Sequence, residues 1–270
     1  MPHALISGGS SGIGLALAEK LFAQGWDVSL MARDQSRLEI ARDQIAKQRH
    51  EPSQRIQIFS ADVTDAAAAA ATVSASAAHQ PLDLLVTSAG IVQPGEFGDL
   101  PADAFAHTMN VNYLGTVNLV RAALPAMRAR GKGRMVLISS GAGLIGLYGY
   151  TAYAPSKFAV RGFAEALRAE LKPEGIGVSI VYPPDTDTPQ LHAEIAARPN
   201  ATSRIAAGAK VLSAGEVAEA ILTGVARGRF IIAPGLEMKL LSVLHSLIRP
   251  ALNRFLFDPV IADEHRKKAL

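Results

Sequence analysis

Cysteine is absent from this 270-residue chain. The sequence therefore offers no disulfide, no thiol nucleophile and no thiolate metal site. The seven histidines are far apart and show no metal-ligand spacing, so no metal site is predicted. The lack of cysteine fits a cytoplasmic protein. The N-terminal stretch MPHALISGG fits it too, since it has neither the basic start nor the apolar run of a signal peptide.

Charged residues are also few. They make up 19% of the chain, below the roughly 25% of average soluble domains, and the net charge is +3. The basic residues are scattered rather than arranged in a stripe, so no nucleic-acid partner is predicted. No window offers the roughly 18 apolar residues of a membrane-spanning helix. With 49% hydrophobic residues, the chain instead predicts one domain with a substantial core.

Short apolar runs alternate with helical patterns along most of the chain. The predicted strands cover residues 3–7, 28–32, 56–60, 82–87, 135–138, 178–182 and 230–232. Continuously apolar strands that alternate with helices indicate a parallel sheet covered on both faces. We therefore predict an α/β fold, a doubly wound parallel sheet in a single Rossmann-type three-layer αβα domain over residues 1–270.

Three stretches depart from this alternation. A long helical pattern at 104–130 is expected to break at Pro125, since proline fits poorly inside a helix. Residues 185–210 show little periodicity, and long irregular segments in compact domains are often lids, so they are predicted to be a substrate lid. Residues 236–257 form an apolar helical stripe interspersed with Lys239, Arg249 and Arg254. That helix is expected to lie either in a membrane interface or against the core or a partner subunit.

A glycine-rich turn follows the first predicted strand. Its glycines are spaced G-x-x-x-G-x-G and lead into a helical pattern. Backbone N–H groups at the start of such a helix bind a pyrophosphate. We assign the whole turn to cofactor binding: Gly8, Ser10, Ser11, Gly12, Ile13 and Gly14. The same residues match the nucleophile elbow of hydrolases around Ser10, but almost no chain precedes that serine, so a hydrolase is not favoured.

A tyrosine and a lysine four residues apart form the second motif. Tyr153 and Lys157 share one helical face if a helix begins by Tyr153. Pro155 then falls in the first turn, where proline is tolerated. A free phenol has a pKa near 10, and a nearby cation lowers it. With a hydroxyl from Ser139 or Ser140, these groups can protonate a carbonyl oxygen, which predicts carbonyl reduction by a nicotinamide cofactor.

The ordered set of motifs resembles the short-chain dehydrogenase/reductases over nearly the whole length. The set consists of the glycine-rich loop, Ser88–Ala89–Gly90, Asn112, Ser140 and the Tyr153/Lys157 pair. The resemblance implies that Tyr153 is the acid and that Lys157 lowers its pKa and holds the nicotinamide ribose. It also implies that Ser140, rather than Ser139, orients the carbonyl and that Asn112 supports a proton-relay water.

The same resemblance extends the predicted cofactor site. It adds Ala89, Gly90, Pro183, Thr186 and Thr188 to the residues that bind the nucleotide. Two positions depart from the family pattern. Ser88 stands where many relatives carry asparagine, and Pro184 stands where glycine is usual. Neither departure removes a group that does the chemistry, but both could reshape the nicotinamide pocket.

The end of the second predicted strand bears on the choice of nicotinamide. A carboxylate at that strand end usually selects NAD. The family's acidic position aligns with Ala32, and Asp34 is better explained as a helix N-cap. Arg33 and Arg37 can pair with a 2′-phosphate, so NADP(H) is favoured. After the third strand, Asp62 and Val63 resemble the family's adenine contact, although an aspartate that begins a helix would look the same.

The strings around the catalytic motif carry a closer resemblance. The stretches 146–153, 158–167 and 182–189 are similar to the 3-ketodihydrosphingosine reductases. That family uses NADPH to reduce the keto group of a long-chain sphingoid base, which gives dihydrosphingosine for sphingolipid synthesis. The alternatives are a reductase of another lipid-like carbonyl, such as a 3-oxoacyl chain or a steroid, and a non-catalytic NADP-binding protein.

The resemblance also bears on partners. It implies a long-chain keto lipid as substrate and a homo-oligomer, since related enzymes are often dimers or tetramers. The eukaryotic members of the family are membrane proteins. For this chain we expect at most peripheral contact with the cytoplasmic face of a membrane, through the helix at 236–257.

Overall fold

The computed structural model of the chain, which describes residues 1–268, has a seven-stranded parallel sheet at its centre. Its strands, in chain order, are β1 (His3–Ser7), β2 (Asp27–Ala32), β3 (Ile56–Ser60), β4 (Leu84–Thr87), β5 (Gly133–Ile138), β6 (Ile176–Val181) and β9 (Ile231–Ile232). They lie in the order β3-β2-β1-β4-β5-β6-β9. Two short strands, β7 (Thr186–Asp187) and β8 (Leu212–Ser213), pair with each other outside this sheet. The predicted doubly wound fold is confirmed.

Helices cover both faces of the sheet. They are α1 (Gly12–Ala23), α2 (Gln35–Ala46), α3 (Ala66–Ser76), α4 (Asp103–Met109), α5 (Gly115–Arg130), α6 (Tyr153–Leu171), α7 (Pro189–Ala197), α8 (Asn200–Ala206), α9 (Ala214–Ala226), α10 (Leu236–Leu252) and α11 (Asp258–Lys268). Helices α1, α2 and α9 pack on one face around Leu17, Leu38 and Val217. Helices α3, α5 and α6 pack on the other, around Leu119 and Val160.

Side-chain caps fix where several helices begin. Asp34 accepts a hydrogen bond from the Arg37 N–H at 3.0 Å, which makes it the N-cap of α2 as expected. Asp65 accepts from two N–H groups at the start of α3. Ser213 forms a capping box with Glu216 at the start of α9. These caps hold the loops at the carboxyl end of the sheet in defined positions.

The break expected at Pro125 is wrong. Pro125 lies inside α5, on its solvent-exposed face, where water can satisfy the carbonyl that proline leaves unpaired. The regular α-helix is instead interrupted between α4 and α5 by a π-helical turn, Asn110–Leu114. Such turns often occur at functional sites, and this one contains Asn112.

The segment expected to be irregular contains two short helices. Residues 185–210 include β7, α7 and α8, and α7 begins at Pro189 with the Thr188 side chain as its N-cap. Farther on, α10 and a π-helical turn together cover residues 236–257, which are the bounds predicted for the C-terminal helix. Within residues 1–268, no helix combines the length and apolarity needed to cross a bilayer.

Candidate active site

The predicted motifs meet where parallel strands end. Gly8 follows β1, Ala89 and Gly90 come just after β4, Ser140 follows β5, and Pro183 follows β6. The winding of the sheet reverses between β1 and β4, and ligands of such sheets bind in the crevice outside the carboxyl ends of the strands at that point. A cavity of about 430 Å³ occupies this crevice.

The glycine-rich loop is shaped to take a phosphate. Ser11 precedes α1 in an extended conformation, and its side chain does not cap the helix. The first-turn N–H groups of α1 are thus available to an anion. A Cβ added to Gly14 would lie 2.4 Å from the Gly8 carbonyl oxygen. Gly12 has a φ of +55°, which side-chain-bearing residues rarely adopt. The loop therefore fits a dinucleotide pyrophosphate.

Tyr153, Lys157 and Ser140 come together at the centre of the cavity. Tyr153 begins α6, and Lys157 lies one turn later, so the predicted shared face is present. The Lys157 Nζ donates to the Ile138 carbonyl at 3.1 Å and lies 5.6 Å from the Tyr153 ring centroid. The Ser140 hydroxyl hydrogen-bonds the Tyr153 phenol. Ser139 donates instead to the Lys157 carbonyl at 2.9 Å, so it secures the backbone of α6.

Burial dominates the protonation of this group. It raises the pKa of the Tyr153 phenol above its ordinary value, against the opposing effect of the Ser140 hydrogen bond. Burial also lowers the pKa of the Lys157 ammonium to about 8. Desolvation is therefore the larger effect on the phenol in this structure, and the lowering of its pKa by Lys157 stays a prediction. At neutral pH the phenol is protonated and the ammonium is charged.

Asn112 is buried behind the cavity, in the π-helical turn. Its Oδ1 accepts from the Ile91 N–H at 2.8 Å, and its Nδ2 donates to the Ile91 carbonyl at 2.9 Å and to the Ser156 Oγ at 2.9 Å. The amide thus joins the loop after β4 to α6. A Cβ on Gly90 would lie 3.2 Å from Asn112 Oδ1 and 3.5 Å from Lys157 Nζ, so these three residues are neighbours.

The residues assigned to the adenosine end lie away from this centre. Arg33 and Arg37 are exposed after β2, and Arg37 Nε lies 3.6 Å from the Asp34 carboxylate. Asp62 accepts from the Thr64 N–H at 2.8 Å and does not cap a helix. Val63 is buried in the core. Ala32, where a carboxylate would favour NAD, offers no charge.

Residues 183–188 contact both the glycine-rich loop and the strand ends. The Gly141 N–H donates to the Pro183 carbonyl at 3.1 Å, and the Thr186 hydroxyl donates to the Pro184 carbonyl at 2.9 Å. A Cβ on Gly12 would lie 3.0 Å from Thr188 Cγ2. Thr188 therefore closes over the start of α1, at the predicted phosphate position.

Most of the predicted residues line one cavity. They are Gly8, Ser11, Gly12, Ile13, Ala89, Gly90, Ser140, Tyr153, Lys157, Pro183, Thr186 and Thr188. The others lie outside its wall: Ser10, Gly14, Arg33, Arg37, Asp62, Val63 and Asn112. Gly14 and Asn112 act by close packing and hydrogen bonding behind the wall.

Two groups of cavity residues were missed by sequence reasoning. One is a polar cluster of Tyr150, Asp185, Glu194 and Arg198, and the other is an apolar wall of Ile145, Leu147, Ile205, Met238, Leu241, Leu252, Leu256 and Phe257. The C-terminal helix was recognised as amphipathic, but no sequence signal showed that one of its faces lines the catalytic cavity.

A family model described as short chain dehydrogenase matches residues 2–199. The chain belongs to this family. It is accordingly an oxidoreductase of CH–OH groups that uses a nicotinamide cofactor. A short-chain dehydrogenase from Sphingobium yanoikuyae, solved in complex with NADPH, is 27% identical with a TM-score of 0.78, and the match covers 95% of this chain and 96% of the other.

Among named relatives, this dehydrogenase is similar to reductases of a sphingoid ketone. It is 39% identical to 3-dehydrosphinganine reductase of Danio rerio and to 3-ketodihydrosphingosine reductase of Bos taurus, in each case over 90% of this chain and 74% of the relative. A 3-dehydrosphinganine reductase of Arabidopsis thaliana is 38% identical over 92% of this chain and 74% of its own length. The resemblance to the 3-ketodihydrosphingosine reductases is thus confirmed.

Proposed function

We propose that this dehydrogenase uses NADPH to reduce the keto group of 3-ketodihydrosphingosine to dihydrosphingosine. The observation that carries the proposal is the shape of the cavity, which joins Ser140, Tyr153 and Lys157 to a long apolar wall. That wall comes from Ile145 and Leu147, from helix α8 and from residues 238–257. An apolar wall of this kind suits a long alkyl chain, and the relatives' names specify a sphingoid ketone.

The proposed cofactor site follows from the same geometry. When bound, NADPH would supply a hydride to the keto carbon. The loop Gly8–Gly14 would hold its pyrophosphate at the start of α1, and Lys157 would hold the nicotinamide ribose. Arg33 and Arg37 are exposed cations at the end of β2, which suits a 2′-phosphate. Asp62 and Val63 would lie beside the adenine.

In the proposed reaction Tyr153 gives a proton to the ketone oxygen. Its raised pKa keeps the phenol protonated at neutral pH, which is the form that a reduction needs. Ser140 would donate a hydrogen bond to the same oxygen and stabilise the developing negative charge. Lys157 would stabilise the phenolate that forms, and Asn112 would support a water that returns the proton.

Residues 185–210 are proposed to cover both the cofactor and the substrate. Residues 185–210 carry Thr188 over the phosphate loop and also supply Ile205 to the apolar wall. A lid that touches both NADPH and the ketone would exclude water from the reacting carbon. Residues 185–210 are thus proposed as the substrate lid.

Replacement of Tyr153 by phenylalanine tests the proposal. The variant should lose nearly all formation of dihydrosphingosine, measured by mass spectrometry, while NADPH binding, measured by fluorescence titration, is retained. Tyr113→Phe is the matched control, because Tyr113 packs against Phe163 and does not line the cavity. Retained turnover in Tyr153→Phe would refute the assigned acid, and no product from the unmodified enzyme would refute the proposed substrate.

A peripheral membrane contact is proposed for the outer face of α10. Leu236, Leu240, Val243 and Leu247 are spaced along one side of this helix, and all are exposed. Leu241 and Leu252, on the other side, line the cavity. Lys239, Arg249 and Arg254 are also exposed, which favours the anionic lipids of a cytoplasmic membrane face. A lipid substrate could then enter the cavity from the bilayer.

Vesicle binding tests this contact. The double variant Leu240→Gln/Leu247→Gln should lose co-sedimentation with vesicles that contain phosphatidylserine, since it removes exposed apolar surface. Truncation before Leu236 is a poorer test because it would also remove the cavity wall. A double variant that sediments like the unmodified protein would contradict the proposal. Leu222→Gln, on α9 away from this face, serves as the control.

A further inference from the structure

A buried polar cluster lies in the cavity wall. Arg198 donates two hydrogen bonds to the Asp185 carboxylate, at 2.8 and 3.0 Å. It donates two more to Glu194 Oε1, at 2.9 and 2.6 Å. Tyr150 donates its phenolic proton to the same Oε1. The side chains of Arg198 and Glu194 are only 6% and 11% exposed, so this geometry is held by the fold.

The cluster has an unbalanced negative charge. Two carboxylates, Asp185 and Glu194, face a single guanidinium, so the net charge is −1. All three hydrogen bonds to Glu194 end on Oε1, and among residues 1–268 none is formed to Oε2. A buried carboxylate with excess charge is costly unless a cation or further donors balance it. The Glu194 oxygen that has no partner lies on a residue of the cavity wall.

This charge lies close to the reacting group. The ring centroids of Tyr150 and Tyr153 are 5.7 Å apart, and Tyr150 bonds directly to Glu194. After burial, which is the main cause, the charges of Glu194 and Asp185 also raise the pKa of the Tyr153 phenol. If the ketone oxygen hydrogen-bonds Tyr153, the carbon next to the carbonyl would therefore lie within the electric field of the cluster.

Much of the wall beyond this cluster has the opposite character, although Glu237 and Gln190 also line the cavity. Met238, Leu241, Leu252 and Phe257 supply apolar surface. A ligand that complements the whole cavity thus has a cation beside its ketone and an alkyl chain beyond it. A 3-oxoacyl chain or a steroid has the apolar part but lacks the cation.

We infer that Glu194, held in place by Arg198 and Tyr150, selects ketones that carry an ammonium group on the carbon next to the carbonyl. This inference rests on the proposed function, since the sphingoid ketone bears such a group. Glu194 Oε2 accepts a charge-assisted hydrogen bond from the ammonium, and Asp185 adds to the field. The cluster is then a specificity determinant for the reductase.

Two ketones of the same chain length test the inference: 3-ketodihydrosphingosine and its analogue with a hydroxyl in place of the amine. The unmodified enzyme should prefer the amine. In Glu194→Gln the ratio of kcat/KM for amine over hydroxyl should fall by about 10- to 100-fold, the loss expected for one charge-assisted hydrogen bond. Glu194→Asp should keep part of the preference. Asp187→Asn is the control, because Asp187 lies on the same lid with its side chain 62% exposed.

A binding measurement keeps the inference separate from the proposed function. With NADP⁺ present, dihydrosphingosine should bind the unmodified enzyme more tightly than the triol of equal length, and Glu194→Gln should remove the difference. If neither ketone is reduced but this difference is seen, the proposed function fails and the charge selection is supported. If Glu194 only holds the lid closed, kcat/KM should fall equally for both ketones in Glu194→Gln. The ratio would then be unchanged, and the inference would be overturned.

Discussion

Replacement of Lys157 by methionine should make the protein inactive and more stable. The Lys157 ammonium is buried, and burial lowers its pKa from 10.5 to about 8. A lowered pKa means that the folded state binds the proton more weakly than the unfolded state does. The charged lysine therefore destabilises the fold at neutral pH, and a side chain of similar length without charge removes that cost.

The size of the effect follows from the shift. Each pH unit of lowering corresponds to about 1.4 kcal/mol, so the ammonium costs about 3 kcal/mol at pH 7. Methionine would leave the Ile138 carbonyl without its 3.1 Å donor, which costs about 1 kcal/mol. The net gain is about 2 kcal/mol at pH 7. Because the unfolded state binds more protons between pH 8 and 10.5, the unmodified protein recovers stability as the pH rises through that window.

Urea unfolding at pH 7 and pH 9.5 measures this difference. The free energy of unfolding of Lys157→Met should exceed that of the unmodified protein by about 2 kcal/mol at pH 7. At pH 9.5, where the lysine of the folded protein is largely neutral, the two free energies should be nearly equal. Lys172→Met, which alters an exposed lysine at the end of α6, should show no such pH dependence. A destabilised Lys157→Met at pH 7, or a difference that does not change with pH, would refute the reasoning.

Three further outcomes are expected. Ser140→Ala should lower kcat for ketone reduction by about 10²- to 10³-fold, as loss of an oxyanion donor does; a loss below tenfold in steady-state assays would contradict the assigned role. Arg33→Ala should raise the KM for NADPH about tenfold and leave that for NADH nearly unchanged, whereas Arg42→Ala, on the exposed side of α2, should change neither. The kcat/KM for reduction should fall as the pH rises through about 8, because Lys157 loses its charge while the phenol of Tyr153 keeps its proton; a flat profile to pH 10 would contradict this.

The sheet was readable from the sequence because its strands are buried on both faces. The largely apolar runs 3–7 and 28–32 fall on β1 and β2, where nearly all residues are buried. The N-cap at Asp34 was predictable because capping depends on residues three positions apart. The interruption of the α-helix near Asn112 was not predictable, since a π-helical turn has no local sequence rule as strong as that for proline. The break predicted at Pro125 does not occur because this proline lies on the solvent-exposed face of α5.

The polar cluster was missed for a different reason. Tyr150, Asp185, Glu194 and Arg198 are spread over nearly fifty positions of the chain, and each by itself resembles an ordinary surface or lid residue. They meet only when α7 folds back over the start of α6. By contrast, the Tyr153 and Lys157 pair is local to one helix turn and could be found from spacing. The oligomeric state stays a prediction.

One comparison tests the proposed function most directly. NADPH oxidation by the purified enzyme should be measured with 3-ketodihydrosphingosine, a 3-oxoacyl thioester and a steroid ketone under the same conditions. A cavity with an apolar wall and a cluster of net charge −1 predicts the highest kcat/KM for the sphingoid ketone. A higher kcat/KM for the thioester or for the steroid would contradict the proposed function.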